Sequence, residues 1–522
     1  MNSSNTTPQV NKWLIAITVM FPSFMEIMDT TVVNVSLPHI RGSLNAGVDE
    51  VTWVLTSYLV SNAIVIPLSG WLSRSFGRKR YLIFSVLIFT VSSLVSAAAP
   101  SLAILVLARI FQGIGGGALQ PISQAILLES FPKNERGMAM SFFGMGVVLA
   151  PILGPVFGGW ITDQYSWRWI FYINLPAGLL SMLLITLFIN DPPYMKRQRL
   201  PIDRWGLFFL CIGVGCLQVV LDKGQRNDWF NSDFIFIMSL VAVSALISFV
   251  LVELTAQHPV VDLKAFRNAS FSAGSIIMFS GFFTLFGGLV LLPLFAQELM
   301  GYTALWAGLV LGPGGIAAFM AMPLAGSLMK RGVSAQLLLG IGISILAYSL
   351  WLMSRYNLQA GFLEIAWPRV VMGFGLGLFF VPVTTAAFVD IPNEETSNAS
   401  GLFNLLRNLG SSFGVAVSAT ELARRSQMHQ NYLVENITPF SSIFQNYEEL
   451  LRHFLLSRDA VLGYAQNPLI LIYQEVVRQA KLLAYNDTFW MLSLITFFLV
   501  PVTLFLRSDR PESGEASMPP VG

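Results

Sequence analysis

Fourteen apolar stretches recur along the chain at nearly even spacing: 13–37, 51–72, 80–99, 101–128, 137–160, 170–190, 204–221, 233–254, 271–297, 303–328, 334–353, 361–388, 400–420 and 488–507. Most are close to the ~20 helical residues that cross a ~30 Å hydrocarbon core. Backbone groups inside lipid must be satisfied within their own segment, so such runs predict helices; a β-barrel would show alternating strands of about ten residues. One long interval breaks the rhythm. Residues 421–487 predict a loop outside the membrane, with an amphipathic stretch, Glu448-Glu449-Leu450-Leu451-Arg452-His453-Phe454-Leu455-Leu456. That stretch reads equally well as a solvated loop or as a helical element that docks a partner.

An internal repeat organises the segments. Pro67-Leu68-Ser69-Gly70-Trp71-Leu72 matches Pro323-Leu324-Ala325-Gly326-Ser327-Leu328, 256 positions later. Arg109-x3-Gly113-x-Gly115-x-Gly117 matches Arg369-x3-Gly373-x-Gly375-x-Gly377, 260 positions later. The first six segments therefore pair with the last six, leaving the seventh and eighth as an insertion. The expected architecture is an all-α membrane protein of fourteen spans. It divides into an N-terminal six-helix bundle (1–190), a linker with two extra helices (191–262) and a C-terminal bundle with the long loop (263–522). Two halves repeated in the same sense suit an alternating-access transporter whose substrate path lies between them.

Composition agrees. Of the 522 residues, 54% are hydrophobic and 11% charged, against ~25% charged in an average globular chain. A soluble enzyme of this size would need far more charge to cover its surface. The net charge of +2 argues against a polyanionic partner, nucleic acid included. Fourteen Lys or Arg residues fall in the short loops on the N-terminal side, including Arg74, Arg78, Lys133, Lys196, Arg197, Arg199, Lys264 and Lys330. Five fall in the short loops opposite: Arg41, Arg168, Lys223, Arg226 and Arg355. Basic residues stay on the cytoplasmic side, so both termini are expected there. Residues 1–12 are polar, and the stretch after them carries acids and exceeds a signal h-region, so no cleaved signal peptide is expected. Cys211 and Cys216 lie five apart on different helix faces, which predicts packing and no disulfide.

Ionisable groups inside apolar segments mark candidate pathways, because burial there is costly. Glu26 and Asp29 lie three apart on one face of the first segment, and Arg109 lies in the fourth. Burial favours a neutral carboxyl and a nearby arginine a charged one, so together they can bring proton binding near neutral pH. Arg369 is the repeat counterpart of Arg109. Glu364 and Arg407 are further candidate cavity charges, each near enough to a segment end for a plain structural role. The fifth segment reads Gly146-x3-Ala150-Pro151-x2-Gly154-Pro155-x2-Gly158-Gly159. Small residues allow close helix approach and the prolines kink, so this helix is expected to seal against a neighbour and to hinge.

Three soluble-enzyme signatures fail on context. Gly113-Ile114-Gly115-Gly116-Gly117-Ala118 fits a dinucleotide fingerprint, and Gly410-Ser411-Ser412-Phe413-Gly414 a nucleophile elbow, but both lie in apolar helices with no preceding strand. No Gly-Lys dipeptide occurs, so no P-loop is present. The four histidines are scattered, and neither metal nor cofactor is expected.

These motifs resemble the major facilitator superfamily, in its fourteen-helix drug:proton antiporter branch. The loop Gly70-Trp71-Leu72-Ser73-Arg74-Ser75-Phe76-Gly77-Arg78-Lys79-Arg80 is similar to the superfamily's gating signature, in which Gly70, Gly77 and Arg78 are the matching residues. Arg109-x2-Gln112-Gly113 resembles the fourth-helix motif, and Gly154-Pro155-x2-Gly158-Gly159 the antiporter motif. Met28-Asp29-Thr30-Thr31-Val32-Val33-Asn34-Val35-Ser36-Leu37-Pro38, Trp167-Arg168-Trp169-Ile170-Phe171-Tyr172-Ile173-Asn174-Leu175-Pro176, and His258-Pro259 with Asp262-Leu263 resemble branch hallmarks. The long loop before the last segment is similar to the EmrB type. The resemblance implies export of hydrophobic toxic compounds against inward protons across the bacterial inner membrane, with Asp29 as the coupling acid. It also implies a periplasmic adaptor of the EmrA kind and an outer-membrane channel as partners. Two departures matter. Arg74 occupies the usual Asp of the gating signature, which bears on the usual charge lock between halves. Glu26 replaces an expected uncharged polar residue, which bears on proton count or substrate charge. Alternatives are a proton-coupled exporter of one metabolite (a siderophore, fatty acid or lipid) and a non-transporting membrane receptor or scaffold.

Overall fold

The computed structural model describes residues 11–192, 203–435, 437–438, 440–462 and 468–506. The basic loop residues Lys196, Arg197 and Arg199 lie outside the described residues. The long helices are α1 (Lys12–Ser43), α2 (Asp49–Phe76), α3 (Arg78–Ala98), α4 (Leu102–Ser130), α5 (Lys133–Gln164) and α6 (Trp169–Phe188) in the first half. An inserted pair follows, α7 (Arg204–Lys223) and α8 (Asp233–Thr255). The second half holds α9 (Ala269–Glu298), α10 (Ala304–Lys330), α11 (Ala335–Met353), α12 (Phe362–Ala386), α13 (Thr396–Glu435), α14 (Ser442–Leu462) and α15 (Pro468–Phe497). Several starts are fixed locally by side-chain caps: Asn11, Asp203, Asn268, Thr303 and Ser334 each accept from a backbone N–H in the first turn.

Among the described residues, thirteen of these helices are long and apolar enough to cross a membrane, so the protein is a multi-pass membrane protein. The fourteenth expected span is α13, which fails on apolarity for a physical reason. Ser400, Asn404 and Arg407 on α13 are buried against other helices, and lipid never meets them. The opposite case is α8, whose Phe236, Leu240, Val243, Ile247 and Leu251 are exposed along its length. The sequence places the last two spans at 400–420 and 488–507 around a loop; the helices extend well beyond both. Helix α13 continues to Glu435 and α15 begins at Pro468, with α14 between them. These extensions are tied to each other by His429 to Asp487 (2.8 Å) and Gln430 to Tyr473 (3.1 Å). Hydropathy marks contact with lipid and says nothing of where a helix stops.

The repeat is visible in packing. Helix α2 packs on α4 as α10 does on α12, α1 on α5 as α9 on α13, and α3 on α6 as α11 on α15. The halves meet where α13 lies on α2 and α4, and where α5 lies on α10 and α12. Inserted helix α7 touches both halves, through α2 and α13. Cys211 and Cys216 on α7 are free and half-buried.

Candidate functional site

Helix α1 turns its Glu26 and Asp29 inward. One Asp29 carboxylate oxygen accepts from Arg109 Nη1 at 2.5 Å, and the other from Gln112 Nε2 at 3.0 Å and Asn174 Nδ2 at 2.7 Å. Neither the Asp29 nor the Arg109 side chain has any exposed surface (0% for both). Arg109 also donates through Nε to the Val54 carbonyl (3.1 Å) and lies 4.2 Å over the Tyr58 ring. Its Nη2 has no partner among the described residues. One carboxylate therefore ties α1 to α4 and α6. Charged hydrogen bonds are strong in so dry a place, and removing one partner of a buried pair costs ~3–5 kcal/mol. The carboxylate holds three helices together, and without it Arg109 would be an uncompensated buried guanidinium.

Glu26, one turn below, is held differently. It accepts from Tyr58 Oη (3.0 Å), Asn62 Nδ2 (3.2 Å) and Gln120 Nε2. The Gln120 carbonyl in turn accepts from Arg407, which comes from α13 in the other half. Asn408 reaches Asn62 at 3.3 Å, and Asn404 reaches Gln124 at 2.6 Å. A polar seam thus runs from Glu26 across the junction of the halves. Arg369 stands apart. It is 7% exposed; among the described residues its Nη1 meets only the Met372 sulfur (2.8 Å) and its Nε has no partner. Glu364 accepts from the Gly361 N–H at 3.0 Å and caps α12, far from the acids of α1.

Small residues in α5 fit α1. A Cβ at Gly146 would meet Met20 Cγ at 2.9 Å, one at Gly158 would meet the Val32 backbone at 3.1 Å, and one at Gly154 would overlap Thr31; Gly159 faces open space. Pro155 sits inside the helix beside them. At the end carrying Lys12 the halves are clasped. A Cβ at Gly70 would lie 2.6 Å from Asn398 Cα, and Gly77 makes the α2–α3 turn at φ +87°. Arg78 forms a fork on Glu129 and donates to Ser397 Oγ at 2.8 Å across the junction. Arg74 adds a second charge at this end, within electrostatic reach of Asp262 and Glu395. At the opposite end the bridges run through α7: Asp222 to Thr56, Lys223 to Thr52, and Gln218 to Ser412 (3.0 Å). There Gly308 and Gly312 on α10 have no neighbour within 4 Å of a built Cβ.

Sequence reasoning singled out both acids and all three arginines. It missed the neutral partners. Gln112 and Asn174 lay inside quoted motifs without a role, whereas Tyr58, Asn62 and Gln120 carry no signal in the sequence, since polar residues are common in helices and only the fold says what they face.

The comparisons with known proteins follow the same lines. The profile of the Major Facilitator Superfamily matches residues 19–415. "Multidrug export protein EmrB" of Haemophilus influenzae is 36% identical over 95% of this chain and 95% of its own. "Fatty acid resistance protein FarB" of Neisseria gonorrhoeae is 33% identical over 94% and 95%. A solved structure of a double-tryptophan mutant of XylE superposes with a TM-score of 0.61 at 14% identity, covering 96% of this chain and 97% of that one, which speaks to the fold alone.

Proposed function

The chain belongs to the Major Facilitator Superfamily and stands among its multidrug exporters, and on that premise we propose that it drives hydrophobic toxic compounds outward in exchange for protons. The dry Asp29–Arg109 pair carries the reading. Ionised Asp29 holds α1, α4 and α6 together; a proton arriving from outside neutralises it, frees Arg109 and lets the N-terminal bundle rock against the C-terminal one. Release of the proton inside restores the tie. Glu26 supplies a second acid whose seam to Arg407 crosses between the bundles. Gly146, Gly154, Pro155 and Gly158 keep α5 close on α1, so that movement at Asp29 is passed to α5. Gly70, Gly77 and Arg78 form the gate that opens on the inner side.

In this reading the units are 1–190, 191–262 and 263–522, with both termini cytoplasmic and the protein in the bacterial inner membrane. The asymmetry of Lys and Arg between loops supports that orientation. The helical extensions of α13, α14 and α15 are the place for a periplasmic adaptor of the EmrA kind, leading to an outer-membrane channel. Moving one charge through 100 mV is worth ~2.3 kcal/mol. At ~1.4 kcal/mol per tenfold ratio, each proton supports about a fortyfold gradient of a neutral compound, with no nucleotide needed.

The test is Asp29→Asn in proteoliposomes. Dye efflux driven by a proton gradient should fall at least ~100-fold, consistent with loss of a buried charge pair, while the protein still inserts. Undiminished gradient-driven efflux rejects the assignment. The likeness to a protein named for fatty acid resistance favours a second reading, a narrower exporter of one lipid-like metabolite. Growth of an efflux-deficient host on a panel of toxic compounds separates the two: broad protection supports the first, protection against one chemical class the second.

A further inference from the structure

The repeat that relates the halves makes the C-terminal one unlike its partner at one point. Val35-Ser36-Leu37-Pro38 on α1 recurs as Val290-Leu291-Leu292-Pro293 on α9, 255 positions later. On that register Asp29 corresponds to Thr284. Arg109 and Gln112 correspond to Arg369 and Met372 at the 260-position offset, and both pairs are in contact, at 2.9 and 2.8 Å. The backbones agree as well. A Cβ at Gly113 would lie 2.5 Å from the Tyr58 carbonyl of α2, and one at Gly373 would strike the Gly314 carbonyl of α10, 256 positions after Tyr58. So α12 brings its arginine to the same place as α4 does, while the acid has become a threonine, the glutamine a methionine and the tyrosine a glycine. Thr284 has its hydroxyl engaged with its own helix, on the carbonyls of Ser280 and Gly281.

Arg369 is thus a buried guanidinium with no carboxylate paired to it among the described residues. It has one unpartnered nitrogen and one sulfur contact, and sulfur is a weak acceptor. Burying a charge without a counter-charge is unfavourable, and the gap closes when an anion binds. The site lies two turns into α12 from its Phe362 end, where the halves are not clasped, beside α10 whose Gly308 and Gly312 face open space. Beside it lie the Met372 sulfur and, within electrostatic reach, the Tyr356 phenol, whose hydroxyl donates to the Ile365 carbonyl.

We propose that Arg369 is the anion subsite of the C-terminal bundle, and that it takes the carboxylate of a hydrophobic organic acid. The inference rests on the transport reading for its biological sense, but binding tests it without transport. The N-terminal bundle supplies its own acid to its arginine; the C-terminal bundle draws that acid from the substrate. A matched pair of soluble probes isolates the charge: naphthalene-1-carboxylate and naphthalene-1-carboxamide, titrated calorimetrically into the purified full chain in detergent at pH 7.5. The unaltered protein should bind the carboxylate about tenfold or more tighter than the amide, as a charge-assisted hydrogen bond in a buried site implies. Arg369→Gln should abolish that preference and leave amide affinity within about threefold. Thr284→Asp should abolish it too, by returning to Arg369 the internal partner that Arg109 has, whereas Thr284→Ser should keep it. Two different helices carry these variants, so a folding defect in one leaves the other decisive. A carboxylate preference that survives either folded variant overturns the proposal, as does an unaltered protein that binds neither probe or does not discriminate. Asp29-dependent dye efflux is read separately, so failure here leaves the proton-coupling assignment standing, and the reverse holds.

Discussion

Asp29 accepts three hydrogen bonds where no water reaches it, so its charge is bound to the positions of three helices. Glu26, a single turn away, is tied across the two halves through Gln120 to Arg407. The two acids therefore have separate jobs in the structure: one organises the N-terminal bundle, the other joins the bundles. At this scale the prediction concerns Glu26. Its charge and that of Arg407 are both buried, so losing either leaves the other uncompensated. Glu26→Gln and Arg407→Gln should each lower the apparent melting temperature of the purified protein, and the double variant should lose less than the sum. A double-mutant cycle should give a coupling of roughly 0.5–3 kcal/mol. Strictly additive losses would mean the seam through Gln120 carries no energy.

At the scale of the element, polar and apolar helices have exchanged the roles that hydropathy assigns them. Helix α8, the most apolar, is a lipid-facing strut, and α13, the least apolar of those in the bundle, lies across the junction of the halves. Its extension leads into α14 and the start of α15. This region keeps exposed apolar residues: Tyr432, Phe440, Tyr447 and Leu450. Where exposed apolar groups form a contiguous patch, they mark an interaction face. Replacing residues 436–467 by a short Gly-Ser linker should spare insertion and efflux in proteoliposomes, because α14 contributes little to the packing of the bundle. The same deletion should lower resistance of whole cells at least several-fold if an adaptor docks here. Normal cell resistance would discard the docking assignment.

At the scale of the whole molecule, the halves touch through direct backbone approach at the Lys12 end and mainly through the inserted helix α7 at the other. An alternating-access cycle must break the first set of contacts. Arg78, forked on Glu129 and bonded to Ser397, is the buried charge in that clasp. Arg78→Gln should shift the population toward opening at this end. Loss of a few charged hydrogen bonds, ~1.5–3 kcal/mol each, moves a two-state ratio by tenfold or more. Spin labels at Phe76→Cys and Arg331→Cys, both exposed at this end, with Cys211 and Cys216 changed to serine, should report a larger long-distance fraction. An unchanged distance distribution would show that the clasp does not set the balance.

Much of this was legible in the sequence. Segment spacing and the acids in apolar runs follow from single-residue properties, because lipid sorts residues one at a time by hydropathy and a charge in an apolar run stands out wherever it lies, and the internal repeat follows from matching motifs. Asp29 and Arg109 could each be singled out on that ground alone. What the acids and arginines bind could not be read, since that depends on which faces of distant helices meet. Tertiary structure alone decided that Arg407 reaches toward Glu26, that Glu364 caps its own helix, that α13 and α15 run on past their apolar cores, and that Arg369 has the position of Arg109 without its acid. Pairing is a property of two surfaces brought together, and a linear pattern carries one surface at a time.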